Sequence, residues 1–583
     1  MATNTQQLPS RDEMFNQRLP FILIGMVVIS ALLILKLISF QQLSPDVVNE
    51  LSPDYNRTVK LASARGFIFD HSGQRLAVNT VEYRIGISPN LVANPQRSAT
   101  QLAAILNLDE LEVYKALTSD SMYVLLAPRV SAEQGQAVEK LKEEGLTALQ
   151  IEKIPRRNYP QGTVAAQILG FVGGDLQGYY GVEGKFQDQL VGRPRTEIVS
   201  NIPFDLPPQQ EADKGSDIYL TIDRDVQFLI ESELAYSIDS TGAKSGTIIV
   251  MNPRTGDLLG MASYPSYDPN NFQAETDPNI WRNPAISNAY EPGSVMKVVT
   301  VAAALENKTI TPGWTYNDQG MLDMAGIQVQ NWDREAHGIV DTTGILVQSL
   351  NVGAANVSLA MGPTDFYKFM SKFGFGRLTG INLEGEAGGT LHVPGDSVWS
   401  ESNLLTNSYG QGVAVTPLQM ITAVSAIAND GLMMQPNVVA KIVTNGEVNI
   451  SQPIALSHPI STETAHIVRD MMVSVVQNGL DDAASLPGYT IAGKTGTAEI
   501  PGPVRYRSDA WIMSFIGFFP ADDPQAIVLI KLDEPSSGRW ASQVVAPIFR
   551  RLAERLVVIM EIPNDATRKA LEAQGAIVGE TNQ

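Results

Sequence analysis

Tyr290-Glu-Pro-Gly-Ser294-Val-Met-Lys297 is the stretch on which the reading of this chain turns. A serine hydroxyl is a poor nucleophile until a nearby base takes its proton. Pro292-Gly293 ends a loop, and Val295 to Glu306 reads as a helix rich in Val and Ala. Residues i and i+3 share a helix face, so the Lys297 amine is expected beside the Ser294 hydroxyl. The start of that helix adds unpaired N–H groups and a positive dipole end, which favour negative charge near Ser294. To act as a base Lys297 must be neutral, and burial or a second cation lowers a lysine pKa.

Two later segments complete the pattern: Ser349-Leu-Asn351 and Lys494-Thr-Gly-Thr497. Each is weak alone. A single S-x-x-K is usually a plain helix start, Ser349-Leu-Asn351 reads equally as the cap of a helix from Val352, and Lys494 to Thr497 as a strand end. In this order and well separated, they point to one site. Lys494 supplies the second cation. The segment from Tyr489 to Glu499 reads as an edge strand along a groove. Its Thr495 and Thr497 hydroxyls, with Lys494 behind them, suit a carboxylate. Gly496 would let a substrate approach the backbone closely.

Composition narrows the alternatives. The chain has 583 residues, 44% of them apolar, enough for two or three domains with a large core. A net charge of −20 argues against nucleic-acid binding, which wants a basic surface. There is no cysteine, which excludes disulfides, thiolate metal sites and cysteine nucleophiles. None of the five histidines is spaced as a metal pair, so no metal and no cofactor is expected. No Gly-x-Ser-x-Gly elbow surrounds Ser294.

Leu19 to Leu37 is nearly all apolar, and about 20 such residues span a bilayer core. A transmembrane helix is therefore expected at 19–39. Arg11 and Arg18 precede it and Asp46 and Glu50 follow, so the positive-inside rule puts residues 1–18 in the cytoplasm and the body outside. A cleaved signal peptide is the competing reading; the apolar run is long for one, and no clear A-x-A site follows.

Residues 40–213 form a first extracytoplasmic region without the three motifs. Arg65 to Asp70 and Arg75 to Asn79 read as strands around a turn, Tyr83 to Ser88 as another strand, and 100–106 and 132–144 as helices. Asp205 to Gly215 reads as a linker. Residues 214–561 then show a strand from Asp217, a helix from Arg224, a hairpin between Gly246 and Ser263, a mostly helical middle, strands at 514–519 and 526–532, and a helix at 547–560. The expectation is an α+β fold: an antiparallel sheet covered by helices plus an α-helical subdomain. Residues 562–583 read as a polar, loosely attached tail.

The three motifs together are the known signature of penicillin-binding proteins and class A β-lactamases, with Leu350 where that signature has Asp. Asn283-Pro-Ala-Ile286, Tyr409-Gly-Gln-Gly412, Thr416-Pro-Leu-Gln419 and Ala428-Asn-Asp-Gly431 resemble class B penicillin-binding proteins, the peptidoglycan D,D-transpeptidases. Arg65-Gly66 with Asp70, Arg157-Asn-Tyr-Pro160 and Gly181-Val-Glu-Gly184 resemble the N-terminal pedestal domain of that family. Ser349-Leu-Asn351-Val-Gly353, Phe373-Gly-Phe-Gly376 and Glu384-Gly-Glu386 resemble its division-type (FtsI-type) branch, where Leu350 is usually Ser.

The resemblance implies a penicillin-recognising fold on a pedestal. It implies that Ser294 attacks a D-Ala-D-Ala stem peptide, that Lys297 takes its proton, that Ser349 relays that proton, and that Asn351 fixes Lys297 and the substrate amide. It further implies β-lactams as inhibitors, and as partners a SEDS-type glycosyltransferase and other division proteins at the membrane. The rival readings are an elongation-type transpeptidase, a β-lactamase or β-lactam sensor, and a non-catalytic division scaffold. No deacylating glutamate is recognisable, and about 18 residues inside the cell leave no room for a signalling domain.

Overall fold

The computed structural model describes residues 11–41, 56–61, 63–192, 195–200, 214–479, 482–502, 506–538 and 540–573. By contacts the chain divides into two compact units. The first comprises Met1–Ala62 and Pro194–Ala212. It holds helix α1 (Arg11–Gln41) and an antiparallel strand pair, Asn56–Leu61 with Arg195–Ser200. Among the described residues no helix is long and apolar enough to cross a membrane, so the span expected at 19–39 does not register as one. The backbone of that segment is helical throughout, and Leu23, Ile24, Leu33 and Leu37 on it are exposed.

The second unit comprises Ser63–Arg193 and Asp213–Gln583. The linker expected at 205–215 lies outside the described residues apart from Lys214 and Gly215. Beyond it the two expected regions share a sheet. Strand Asp217–Leu220 pairs in parallel with Ile68–Phe69 and antiparallel with Val439–Thr444. Ile68–Phe69 in turn forms the expected hairpin with Arg75–Ile87, and Asp70 closes its turn by accepting from the Ser72 hydroxyl (2.8 Å) and the Gln74 N–H (2.7 Å).

The pedestal residues singled out from sequence converge on one buried carboxylate. Arg65 Nε and Arg157 Nε each donate to Glu183 at 2.7 Å, and Arg157 also donates to the Gly66 carbonyl at 2.7 Å. Buried charges are tolerated when paired and hydrogen-bonded. Their role is thus to tie three distant segments together.

The region that carries the three motifs is built on helix α2 (Arg224–Thr241) and five strands. These are β1 (Ser245–Met251), β2 (Leu258–Tyr264), β3 (Ala492–Pro501), β4 (Tyr506–Phe519) and β5 (Ala526–Asp533). All neighbours pair antiparallel in the order β2-β1-β5-β4-β3, so β3 is an edge strand. The long apolar runs of β1 and β5 are buried on both faces, as central strands require. One face is covered by α2 and by the helix Ala541–Ile559, whose Val545, Phe549, Leu552 and Leu556 share a core with Phe515 and Ile530. On the other side lies an α-helical layer with Met296–Glu306, Asn351–Lys372 and Thr462–Asn478.

The tail expected from residue 562 is not loose over its first part. Asp565–Ala573 is a helix, Arg568 on it is 2% exposed, and that guanidinium pairs with Asp565 (2.8 Å) and Asp522 (2.5 Å). Polar composition concealed an ion-paired anchor.

Candidate active site

Ser294 lies in a 3-10 turn, Gly293–Val295, that leads straight into helix α3 (Met296–Glu306). Every residue from Met296 to Leu305 is buried. A helix apolar on all sides can sit only in a core, and it carries Lys297 in with it. The amine is fully buried; Nζ lies 2.8 Å from Ser294 Oγ, 2.6 Å from the Ser349 carbonyl oxygen and 3.3 Å from Ser349 Oγ. Burial first, and then the positive charge of Lys494, push the Lys297 pKa well below the ordinary lysine value. The result is an amine whose hold on its proton is weakened, set against a hydroxyl, as general-base activation requires.

The turn before α3 is held by backbone contacts on two sides. Gly293 N–H donates to the Gly410 carbonyl at 3.1 Å. With φ +57°, Gly293 is in the left-handed region, and a Cβ there would fall 2.7 Å from the Thr497 carbonyl oxygen. Only glycine allows that approach between the nucleophile turn and β3.

Ser349 closes a helix rather than opening one. Thr342–Val347 ends in two reverse bonds, Ser349 N–H to the Leu346 carbonyl (3.2 Å) and Leu350 N–H to the Ile345 carbonyl (3.0 Å). This is a Schellman ending, which normally places glycine where Ser349 sits with φ +56°. A non-glycine residue there costs about 1–2 kcal/mol. The strained turn aims the Ser349 carbonyl at Lys297.

Asn351 corrects one expectation. Its amide donates to the Gln330 carbonyl at 2.9 Å and not to Lys297, whose second anchor is Ser349. Val352 N–H donates to Asn331 Oδ1 (3.1 Å) and Trp332 Nε1 to the Gln348 carbonyl (3.0 Å). Residues 330–332 are thus zipped to the Ser349 segment. The Trp332 ring meets Trp540 edge-on at 5.1 Å, and the adjacent Ala541 N–H reaches Thr497 Oγ1 at 3.4 Å.

On β3, Lys494 is 1% exposed and donates to the Thr495 carbonyl at 3.2 Å. Thr495 is buried and Thr497 half-buried. Gly496 also departs from expectation. A Cβ on it would meet Ser514 Oγ at 2.5 Å and the Pro292 carbonyl at 2.6 Å, so its bare face is filled by the nucleophile turn and β4, not open to a ligand.

A family of penicillin-binding protein transpeptidase domains matches residues 246–554, more than half of the chain, and a penicillin-binding protein dimerisation domain matches residues 60–220. The chain is a class B penicillin-binding protein. This penicillin-binding protein is 33% identical over 549 residues to stage V sporulation protein D of Bacillus subtilis, with 91% of this chain and 84% of that protein covered. It is 29% identical over 540 residues to the peptidoglycan D,D-transpeptidase FtsI of Escherichia coli, with 90% and 89% covered. Among solved structures it is similar to penicillin-binding protein 3 of Mycobacterium tuberculosis complexed with aztreonam, at a TM-score of 0.68 and 28% identity, covering 87% of this chain and 98% of that one.

One residue of this penicillin-binding protein carried no sequence signal. Asn407, on the helix Glu401–Ser408, is fully buried. With its amide oxygen accepting from the Tyr367 hydroxyl (3.0 Å), its two N–H groups are shared among the carbonyls of Asn403 (3.2 Å), Gln411 (2.9 Å) and Gly412 (3.2 Å). It holds the 409–412 turn, whose Gly410 carbonyl holds Gly293. A buried asparagine in a helix cannot be told from an exposed one by spacing.

Proposed function

We propose that this chain is a membrane-anchored peptidoglycan D,D-transpeptidase that crosslinks stem peptides through an acyl-enzyme on Ser294 and serves septal wall synthesis. The observation that carries the reading is the buried Lys297 amine 2.8 Å from Ser294 Oγ, with Lys494 close enough to depress its pKa. Ser294 Oγ attacks the carbonyl of the penultimate D-alanine as its proton passes to Lys297 Nζ. That proton moves through Ser349 Oγ, 3.3 Å away, to the leaving nitrogen, and terminal D-alanine departs. The N–H groups of Ser294 and Thr497 stabilise the oxyanion, each worth about 3–4 kcal/mol in such sites. Thr495 and Thr497, backed by Lys494, take the terminal carboxylate, and Asn351 lines the groove by way of its own side chain.

The donor peptide adds along edge strand β3, a common mode of peptide recognition. An amine of a second stem peptide then attacks the ester, the new amide forms, and Ser294 regains its proton. The segment 19–39 anchors the chain, residues 1–18 are cytoplasmic, and a SEDS-type glycosyltransferase is the membrane partner. The apolar run with Arg11 and Arg18 on one side supports this topology, the name of the Escherichia coli relative supports the D,D-transpeptidase activity, and the motifs Ser349-Leu-Asn351-Val-Gly353 and Phe373-Gly-Phe-Gly376, which resemble the division-type branch, support the septal role.

The test is mass spectrometry of the extracytoplasmic part after incubation with a penicillin. A stable adduct on the peptide bearing Ser294, absent in Ser294→Ala, is the expected result. Rapid return to unmodified protein with hydrolysed drug points to a β-lactamase, and no adduct overturns the reading.

A further inference from the structure

Strand β3 carries Lys494, Thr495 and Thr497, and only β4 pairs with it in the sheet. An edge strand lacks the second row of ladder bonds that fixes a central one. Its place against the nucleophile turn therefore depends on other contacts. One is the close approach at Gly293 and Gly496. Another grips the strand at its root, and it comes from the far end of the chain.

The root is a tight turn, closed by the Tyr489 N–H on the Leu486 carbonyl at 3.1 Å, and Thr490 follows it. The Tyr489 hydroxyl donates to the Ile562 carbonyl at 2.8 Å. The Asp565 N–H donates to the Gly488 carbonyl at 2.9 Å. One carboxylate oxygen of Asp565 accepts from both the Thr490 N–H (2.7 Å) and the Thr490 hydroxyl (2.6 Å). Its other oxygen accepts from Arg568, which also holds Asp522. The residue before Asp522 completes the ring: the Ala521 N–H donates to the Thr490 carbonyl at 2.8 Å. Thr490 is thus bonded at its N–H, its carbonyl and its hydroxyl. Beneath the turn, buried Ile562 shares a core with Leu486 and Ile491.

Hydrogen bonds to an ionised carboxylate are about twice as strong as neutral ones, and here two of them meet on a single residue of the root. Only Ile491 separates Thr490 from the first residue of β3, and Ala492 and Gly493 are then paired with Phe518 and Gly517. Over so short a span of extended chain, a displacement of Thr490 along the strand carries to Lys494. The charge of Lys494 acts on Lys297, and such an effect weakens with distance.

We propose that Asp565 is a positioning residue: through its carboxylate on Thr490, the C-terminal helix Asp565–Ala573 sets where Lys494 and Thr497 stand against Ser294. The inference rests on the transpeptidase reading of Ser294, Lys297 and Lys494. The helix touches none of the reacting groups and acts only through the strand.

The test compares Asp565→Ala, Asp565→Asn and Thr490→Val in the full-length protein. The readout is the rate of acylation by a penicillin against pH, below the thermal midpoint of every variant. Alanine removes the acceptor, asparagine keeps an oxygen for Thr490, and Thr490→Val removes one of the two bonds while leaving Asp565 its arginine. A misplacement of about 1 Å can cost about a hundredfold in rate, so Asp565→Ala is expected to slow acylation about tenfold or more. Its inflection moves to higher pH as Lys494 recedes from Lys297. Asp565→Asn recovers most of the lost rate, and Thr490→Val falls between. A lowered thermal midpoint in Asp565→Ala with rate and inflection unchanged overturns the inference, since the helix then serves stability alone. An asparagine variant as slow as the alanine one overturns it as well. Should Asp565→Ala fail to fold, Thr490→Val decides: slower acylation with a raised inflection supports the clip, and an unchanged profile overturns it. Absence of a penicillin adduct on the unaltered protein overturns the transpeptidase reading and this inference with it.

Discussion

At the residue scale, Lys297 is the group whose environment matters most. Neutral Lys297 is the form that takes the Ser294 proton, so acylation must quicken as pH rises through the depressed pKa, below the ordinary 10.5. Burial is the larger cause of the depression and the Lys494 charge the smaller. In Lys494→Gln the inflection of acylation rate against pH therefore moves to higher pH while staying below 10.5. An unmoved inflection would refute the coupling. The linkage to stability has the same direction. Between the folded pKa and 10.5 the unfolded chain holds more protons at this site, so this lysine's contribution makes stability rise with pH across that window. The pairing of Ser294 with Lys297 was legible because it lies within one helical turn. The Asn351 contact to Gln330 was not, because it depends on a segment that sequence spacing does not bring near.

At the element scale, the site is a junction of edge strand β3, the turn before α3, and the helix ending at Ser349. The first two meet at Gly293 and Gly496, where Cβ atoms would come within 2.7 Å and 2.5 Å of other heavy atoms. Gly496→Ala must push β3 away from the nucleophile turn and spread Lys494 and Thr497 from Ser294. Penicillin acylation should fall at least tenfold, about 1.4 kcal/mol in barrier, with the far-ultraviolet circular dichroism unchanged. Acylation at the original rate would show that the junction yields without loss of geometry. The strands, the hairpin and the main helices were readable from periodicity. The glycine's reason was misread, since a residue with no side chain does not announce which neighbour occupies its space. The helix at 565–573 was missed because its anchor is Arg568, a residue type that composition assigns to the surface.

At the scale of the molecule, the Arg65–Glu183–Arg157 cluster holds segments that are distant in sequence. The carboxylate is wholly buried and serves two guanidinium groups. Removing one partner of a buried ion pair costs about 3–5 kcal/mol. Glu183→Gln is therefore expected to lower the thermal midpoint by several degrees, read by differential scanning calorimetry, and an unchanged midpoint would mean that the arginines find other acceptors.

The sequence by itself determined the α+β class, the order of the catalytic motifs and the family, because periodicity and short-range spacing are local properties of the chain. It also determined the apolar run at 19–39 that carries the proposed anchor. Only the tertiary structure decided that Ser349 anchors Lys297 where Asn351 was expected to, that Gly496 faces the nucleophile turn, and that Asn407 secures the 409–412 turn. Each of these depends on which backbone atoms of remote segments come within about 3 Å, the range at which hydrogen bonds form and at which one added methyl group no longer fits.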